Sequence, residues 1–146
     1  ISITPFQIAS AYSVFANDGE FKDFKIFKNQ EVTSRKIISS DSAAHILDAL
    51  TKVVKDGTGK AAYIKGFSAG GKTGTAHRIG SSSGYAEDLY VASFAGIAPI
   101  GDESLTIFVS INNPGLNSYT GGAVAAPVFA KIAESSLNHL GYFEDE

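Results

Sequence analysis

Gly70-Gly71-Lys72-Thr73-Gly74-Thr75-Ala76 is the stretch around which the other elements of this chain are organised. Its glycines and its alanine leave the backbone nearly bare, so a ligand can lie directly against the main chain. Lys72 contributes a positive charge, and Thr73 and Thr75 contribute hydroxyl groups that can donate hydrogen bonds. A cation beside two hydroxyls suits an anionic ligand or a negative charge that develops during a reaction.

The composition is that of an ordinary globular protein. Hydrophobic residues make up 44% of the 146 residues and charged residues 18%, which predicts one folded domain rather than a disordered segment. A net charge of −3 argues against a nucleic-acid partner, and the absence of cysteine excludes disulfides, thiolate nucleophiles and cysteine metal sites. No apolar run approaches the ~18 residues of a membrane span. Because the chain lacks methionine and begins at Ile1, we interpret it as a piece of a longer polypeptide.

The first helix has a clear start signal in Thr4-Pro5-Phe6-Gln7. Thr4 can cap the helix, Pro5 fits the first helical position, and Gln7 stands where a capping box requires it. Asn17-Asp18-Gly19 predicts the end of this helix. Its apolar positions recur at helical spacing and are Ile8, Ala11, Tyr12 and Phe15.

Two more helices follow from similar signals. Ser40-Asp41 is expected to cap the second helix, and Asp56-Gly57 to close it. The last helix is expected over about 124–140, with Pro127 in its first turn and Gly141 just beyond its end. The apolar stripes predicted to be buried are Ile46, Leu50, Val53 and Val54 in the second helix, and Val128, Ile132, Ala133, Leu137 and Leu140 in the last.

Three strands are predicted between those two helices. The first covers roughly 67–79, and the next two, 90–98 and 105–112, are joined by a short turn and should pair antiparallel. We expect a mobile connection over 80–84 and short strands or extended chain within 20–38. The fold class is therefore α+β, an antiparallel sheet flanked by helices.

A phosphate-binding loop is the first alternative to consider, because 66–73 matches G-x-x-x-x-G-K-[ST]. Such a loop follows a buried strand and opens a helix, whose N-terminus meets the phosphates. Here Thr75–Ile79 continues in strand-like residues, and Ala61–Lys65 is a poor buried strand. The nucleotide interpretation therefore fails if Thr75–Ile79 is a strand. For Lys72, the structural alternative is a solvated lysine that protects an edge strand.

The whole chain resembles the C-terminal half of the transpeptidase domain of class B penicillin-binding proteins, most closely the division-specific FtsI type. Lys72-Thr73-Gly74 matches their K-T-G element. The departure from the pattern is Thr120, where the family often has a second tyrosine, and we expect it to change local packing only. Five ordered blocks carry the resemblance, namely 3–9, 57–62, 72–76, 95–99 and 119–129.

The resemblance implies a penicillin-binding protein or serine β-lactamase-like fold and acyl transfer to a serine. The substrate would be a peptidoglycan stem peptide, with β-lactams as its mimics, and neither a cofactor nor a metal is expected. Lys72 and Thr75 would be catalytic, Lys72 through its charge and Thr75 through a backbone N–H in the oxyanion hole. Thr73, Gly74 and Thr75 would bind substrate. Alternation places Lys72 and Thr73 on opposite faces, so both can act only on an edge or twisted strand.

The nucleophile is missing from the chain. The family's attacking serine lies in S-x-x-K, which occurs nowhere here, and Thr33-Ser34-Arg35-Lys36 comes closest. Ser110-Ile111-Asn112 matches the family's S-x-N element, but it follows K-T-G rather than preceding it, so we interpret it as chance. We therefore expect 1–146 to be the C-terminal portion of the domain, with the upstream portion as its partner. This chain alone should not react with penicillin.

The remaining polar candidates are interpreted as structural or solvated. His45 and His139 lie on predicted helices, His77 is expected near the rim of the site, and Glu87 and Asp88 are expected in a solvated loop.

The resemblance further implies membrane proteins of the division complex as partners. It implies a location on the periplasmic side of the bacterial inner membrane, with an anchor outside this chain. A β-lactamase, a D,D-carboxypeptidase or a non-catalytic penicillin sensor stays open as an alternative.

Overall fold

A computed structural model describes residues 3–79, 85–101, 103–115 and 117–142. Within these ranges, no helix is both long and apolar enough to cross a membrane. The elements in chain order are α1 (Pro5–Ala16), β1 (Glu20–Lys22), β2 (Ser34–Lys36), α2 (Ser40–Lys55), a 3₁₀ turn (Lys60–Ala62), β3 (Gly70–Ile79), β4 (Tyr85–Ala98), β5 (Leu105–Asn112), a π turn (Gly121–Ala125) and α3 (Ala126–Leu140).

The sheet that positions the site has the strand order β3-β4-β5 and is antiparallel throughout. Thr73 on β3 lies opposite Phe94 on β4, which in turn lies opposite Val109 on β5. In this sheet β3 is an outer strand, paired on one side with β4. The short strands β1 and β2 form a separate antiparallel pair. Helices packed on an antiparallel sheet confirm the α+β prediction.

The helix ends follow the local signals, with one correction. In α1, Thr4 Oγ1 accepts from the backbone N–H of Gln7 at 3.2 Å, and the Gln7 side chain accepts from the Thr4 backbone N–H at 2.9 Å. The cap of α2 is Ser39 rather than Ser40, because Ser39 Oγ accepts from Ser42 N at 3.1 Å and Ser40 is already helical. Successive serines offer two caps one residue apart, and the geometry selects the first.

The strand boundaries differ from the prediction in two places. β3 begins at Gly70 rather than near 67, because Phe67 pairs in an isolated bridge with Ile64 and the backbone of Ile100 bonds to Ser68. β4 begins at Tyr85, so the backbone at 87 and 88 belongs to a strand and not to a loop, since the pairing with β3 continues beyond a register shift. The connection expected over 80–84 lies outside the described residues.

The core beneath the sheet centres on Phe94 and Phe129, which are fully buried with ring centroids 4.9 Å apart. Gly96 makes room for this pair, because a Cβ there would lie 2.7 Å from the Phe129 ring.

The prediction of which α3 residues are buried was wrong in part. Ala133 and Leu137 are buried, but three members of the predicted stripe are exposed, because Phe129 turns the helix face toward Phe94. The buried residues of α3 are Ala126, Phe129, Ala133 and Leu137, and the exposed members of the predicted stripe are Val128, Ile132 and Leu140.

The other two helices agree better with their predicted stripes. In α2, Leu50 and Val54 are buried and the other two members are half-buried. In α1 the buried residue is Val14, which the prediction omitted, whereas Ala11 is exposed. Tyr12 and Phe15 are half-buried and pack edge-to-face with centroids 5.6 Å apart. The face of α1 that packs inward is therefore rotated relative to the prediction.

Candidate active site

Lys72 and Thr73 meet at the outer edge of the sheet although alternation sends their side chains to opposite faces. The lysine is long enough to curl back over the strand, and its Nζ donates to the Thr73 carbonyl at 2.9 Å and to Thr73 Oγ1 at 3.3 Å. Lys72 is exposed and Thr73 is half-buried. The edge position that the sequence argument required for both residues to act in one site is therefore present.

Two contacts from other parts of the chain complete the hydroxyl face of β3. Thr58, between α2 and the 3₁₀ turn, has its Oγ1 3.1 Å from Thr73 Oγ1. The backbone N–H of Gly121, in the π turn before α3, donates to Thr75 Oγ1 at 3.1 Å. Together these segments enclose an open pocket of about 400 Å³. Its lining residues are Thr58, Thr73, Thr75, Thr120, Gly121 and Gly122.

Glycines allow the π turn to lie this close to the strand. A Cβ on Gly121 would lie 2.2 Å from the carbonyl oxygen of Ser93 and 2.5 Å from that of Gly74, which no side chain tolerates. A Cβ on Gly122 would lie 2.4 Å from the carbonyl oxygen of Thr58. Thr120 begins the turn as its N-cap, since its Oγ1 accepts from Ala123 N at 3.3 Å.

Aromatic rings form one end of the same region. Tyr90 stacks on Tyr119 with centroids 4.3 Å apart, and His77 lies over the other side of Tyr90 at 4.4 Å. His77 shares the strand face of Thr75 by alternation and lies two residues beyond it, outside the residues that line the pocket. The column runs from the K-T-G strand to the segment that carries Thr120.

The other candidates from the sequence do not join this pocket. His45 is exposed on α2 and contacts Asp41, and His139 is exposed in the last turn of α3. Ser110 lies opposite Ser93, which lies opposite Gly74, so all three occupy the sheet face away from Thr73 and Thr75. The side chains at 87 and 88 lie outside the described residues.

The nucleotide-binding alternative is excluded by its own criterion. The chain from Gly70 to Ile79 is one continuous strand, so no helix N-terminus follows Lys72 and Thr73 to receive phosphates. The match to the phosphate-loop pattern is therefore a coincidence of spacing.

Sequence reasoning missed four residues of the pocket, which are Thr58, Thr120, Gly121 and Gly122. The available signals were the Gly57-Thr58-Gly59 triplet and the Gly121-Gly122 doublet, each a place where bare backbone permits close approach. Their convergence on β3 depends on long-range packing, which no local pattern reveals.

The groups that line the pocket are hydroxyls and bare backbone. Its lining offers four hydroxyls and the backbone of two glycines, with the Lys72 ammonium at the edge and no carboxylate among the lining residues. Within the part of the chain that the structure describes, no cluster of three or more His, Asp or Glu side chains is arranged to hold a metal ion. Hydroxyl and ammonium groups of this kind can donate hydrogen bonds to an anion.

Comparisons with known proteins agree on one family. Residues 1–134 match the family described as penicillin binding protein transpeptidase domain. The chain is 34% identical to stage V sporulation protein D of Bacillus subtilis over 97% of its own length and 24% of that protein. It is 33% identical to peptidoglycan D,D-transpeptidase FtsI of Buchnera aphidicola, over 96% of its own length and 25% of that protein.

Solved structures give the same result. The transpeptidase domain of Burkholderia pseudomallei penicillin-binding protein 3 superimposes with a TM-score of 0.85 at 33% identity, over 99% of this chain and 44% of that one. Penicillin-binding protein 3 of Mycobacterium tuberculosis complexed with aztreonam gives a TM-score of 0.79 at 27% identity, over 99% of this chain and 37% of that one. The chain spans about a quarter of the two curated relatives above and less than half of these structures. From its matched residues and its fold, the chain belongs to the penicillin-binding protein transpeptidase family.

Proposed function

We propose that this chain supplies the substrate-receiving wall of a peptidoglycan D,D-transpeptidase. The observation that carries the proposal is the convergence of Lys72, Thr73 and Thr75 at one sheet edge, beside a pocket that contains hydroxyl donors and no carboxylate. Relatives that match almost the whole chain bear the name peptidoglycan D,D-transpeptidase. The substrate of such an enzyme ends in a carboxylate, which this wall is suited to bind.

The proposed reaction takes place in two acyl-transfer steps. A serine oxygen attacks the carbonyl carbon of the penultimate D-Ala, the peptide bond breaks, and the terminal D-Ala leaves with a proton. The amine of a second stem peptide then attacks the ester, and the serine oxygen leaves and regains its proton. No S-x-x-K occurs in the 146 residues, so we place the serine in a portion of the protein outside them.

Each residue of the wall has a role in this proposal. The backbone N–H of Thr75 donates to the oxyanion, and the hydroxyls of Thr73 and Thr75 hold the terminal carboxylate. A Cβ on Gly74 would lie 2.5 Å from Ser93 Oγ, so the Ser93 hydroxyl would have to move to accept a side chain there. The bare backbone of Gly74 lets the substrate lie along β3. Lys72 raises the local positive potential and assists proton transfer at the serine.

The biological setting is proposed from the relatives. We infer that β-lactams acylate the same serine, because they present a carboxylate beside a reactive carbonyl. We also infer a role in septal wall synthesis, with division-complex membrane proteins as partners. The domain would lie on the periplasmic side of the inner membrane, anchored by a segment outside this chain. These inferences start from two relatives that bear the name peptidoglycan D,D-transpeptidase FtsI.

The experiment is labelling of the complete protein with a fluorescent penicillin, followed by turnover of a stem peptide in the presence of an acceptor amine. The proposal expects a covalent label, which Thr73→Val and Thr75→Val reduce, and a cross-linked product. Release of D-Ala with hydrolysis alone would instead indicate a carboxypeptidase, and rapid loss of the label a β-lactamase. Residues 1–146 alone should stay unlabelled, and a label on them would contradict the external serine.

A further inference from the structure

The hydrogen bonds around Thr73 restrict what its hydroxyl can do. A hydroxyl oxygen has two acceptor positions and one proton. The Lys72 ammonium can only donate, so its contact with Thr73 Oγ1 at 3.3 Å occupies one acceptor position. Thr58 Oγ1 lies 3.1 Å from the same oxygen. If Thr58 donates, both acceptor positions of Thr73 are filled and its proton is left for a ligand.

Thr75 Oγ1 also accepts a hydrogen bond from the protein, and here the donor is fixed. The donor is the backbone N–H of Gly121, so Thr75 Oγ1 accepts at 3.1 Å and keeps its proton for another partner. Two neighbouring hydroxyls on one strand face thus receive hydrogen bonds from the protein. With Thr58 as the donor to Thr73, both protons are directed into one pocket and form a receptor for a carboxylate, which can only accept when ionised.

Thr58 is held firmly enough to act in this way. Gly57 N donates to the carbonyls of Lys52 and Val53 at 3.1 Å, and Gly59 N donates to that of Val53 at 3.0 Å. Gly59 is buried against Phe94, since a Cβ there would lie 3.2 Å from that ring. The end of α2 and the core therefore fix the backbone on both sides of Thr58.

We propose that Thr58 is a positioning residue for carboxylate recognition, whose hydroxyl donates to Thr73 Oγ1 and thereby directs the Thr73 proton toward the ligand. The inference rests on the proposed function, because it concerns the same pocket and the same class of ligand. It adds a residue outside the K-T-G strand and gives that residue an indirect role.

The test compares Thr58→Val with Thr58→Ser and with the wild type in the complete protein. Valine keeps the shape of threonine but removes the hydroxyl, whereas serine keeps the hydroxyl. Thr106→Val is the matched control, because Thr106 lies on β5 in the same sheet, opposite Ile97 and on the face away from Thr73. The rate of acylation is measured with penicillin G and with its methyl ester, which lacks the ionised carboxylate.

Loss of one hydrogen bond of this kind is expected to lower the acylation rate with penicillin G about five- to tenfold in Thr58→Val. The rate with the methyl ester should change less than twofold, Thr58→Ser should recover most of the loss, and Thr106→Val should match the wild type. An equal loss with both probes would assign Thr58 a merely structural role and overturn the proposal. A faster reaction of Thr58→Val would overturn it too, because Thr73 would then be the donor to Thr58.

Failure of the proposed function gives a different result. If penicillin G does not label the wild-type protein, the proposed transpeptidase site is wrong, and the proposed role of Thr58 is wrong with it. A labelled wild type with an equally reactive Thr58→Val overturns the role of Thr58 alone.

Discussion

Gly121 N–H donates to Thr75 Oγ1 across 3.1 Å, and this bond connects the π turn before α3 to the K-T-G strand. The two residues are 46 positions apart in the chain. The bond forms because glycine alone lets the turn approach the carbonyl oxygens of Ser93 and Gly74. The shape of the pocket and the hydrogen-bonding role of Thr75 therefore have one common cause.

Gly121→Ala should separate the π turn from β3. Its Cβ would lie 2.2 Å from the Ser93 carbonyl oxygen, and relief of such overpacking typically costs about 1–3 kcal/mol. We expect a lower free energy of unfolding together with slower acylation by penicillin, measured by denaturant titration and fluorescent labelling. Gly115→Ala is the control, since a Cβ at Gly115 meets nothing within 4 Å and its φ is not positive. Equal behaviour of the two variants would contradict the close-approach argument.

Lys72→Ala should lower the acylation rate of the complete protein by about 10²–10³-fold, by analogy with the loss of one oxyanion-hole donor. The physical reason is loss of the positive charge that contacts Thr73 and that, in the proposed mechanism, raises the local positive potential. Rapid-quench labelling with a fluorescent penicillin measures the effect. Lys131→Ala, on the exposed side of α3, should react like the wild type. Near-normal acylation of the Lys72 variant would remove this residue from the catalytic machinery.

Phe129→Ala should destabilise the domain by about 3–5 kcal/mol, because it removes a fully buried ring that packs on Phe94 at 4.9 Å. Val128→Ala, one position earlier, should change the free energy of unfolding much less, since Val128 is 37% exposed. Thermal or urea unfolding of both variants measures the difference. A larger loss of unfolding free energy for the Val128 variant would support the buried face first predicted from the sequence.

Tyr12 should ionise above the ordinary range for tyrosine. Burial raises the pKa of the Tyr12 phenol, because it disfavours the charged form. As the pH rises through 10, the unfolded chain loses this proton first, so the stabilisation present below pH 10 is lost toward the higher folded-state pKa. The difference in absorbance at alkaline pH between the wild type and Tyr12→Phe gives the titration of this group. A midpoint at or below 10 would contradict the burial argument.

Local signals in the sequence were sufficient for most of the elements. The capping box of Thr4 and Gln7, the proline in the first turn of α3 and the glycine after it mark helix ends through bonds that span only a few residues. The sequence also predicted that β3 is a strand, because Thr75–Ile79 continues in residues typical of strands. This continuation separated the K-T-G interpretation from the phosphate loop before any packing was known.

Which face of a helix is buried was harder to predict from the sequence. Val128 and Ile132 satisfy helical spacing as well as Phe129 and Ala133 do, and periodicity alone does not decide which set is buried. Gly96 decides it, because the missing side chain on β4 leaves space that the Phe129 and Phe94 rings fill together. That space lies on another element, so it is a property of the assembled fold.

The sequence by itself determined the α+β class, the K-T-G strand, and the residues Lys72, Thr73, Gly74 and Thr75 as candidates for an anion-receiving wall. These features depend on residue type and near-neighbour spacing. Only the tertiary structure brought Thr58 and Gly121 to that wall, at 3.1 Å from Thr73 and Thr75. The contacts join segments 15 and 46 residues apart, and their distances depend on how α2 and the π turn pack against the sheet. The hydrogen bond that Thr75 Oγ1 accepts from Gly121, which leaves the Thr75 proton for another partner, is therefore a result of folding.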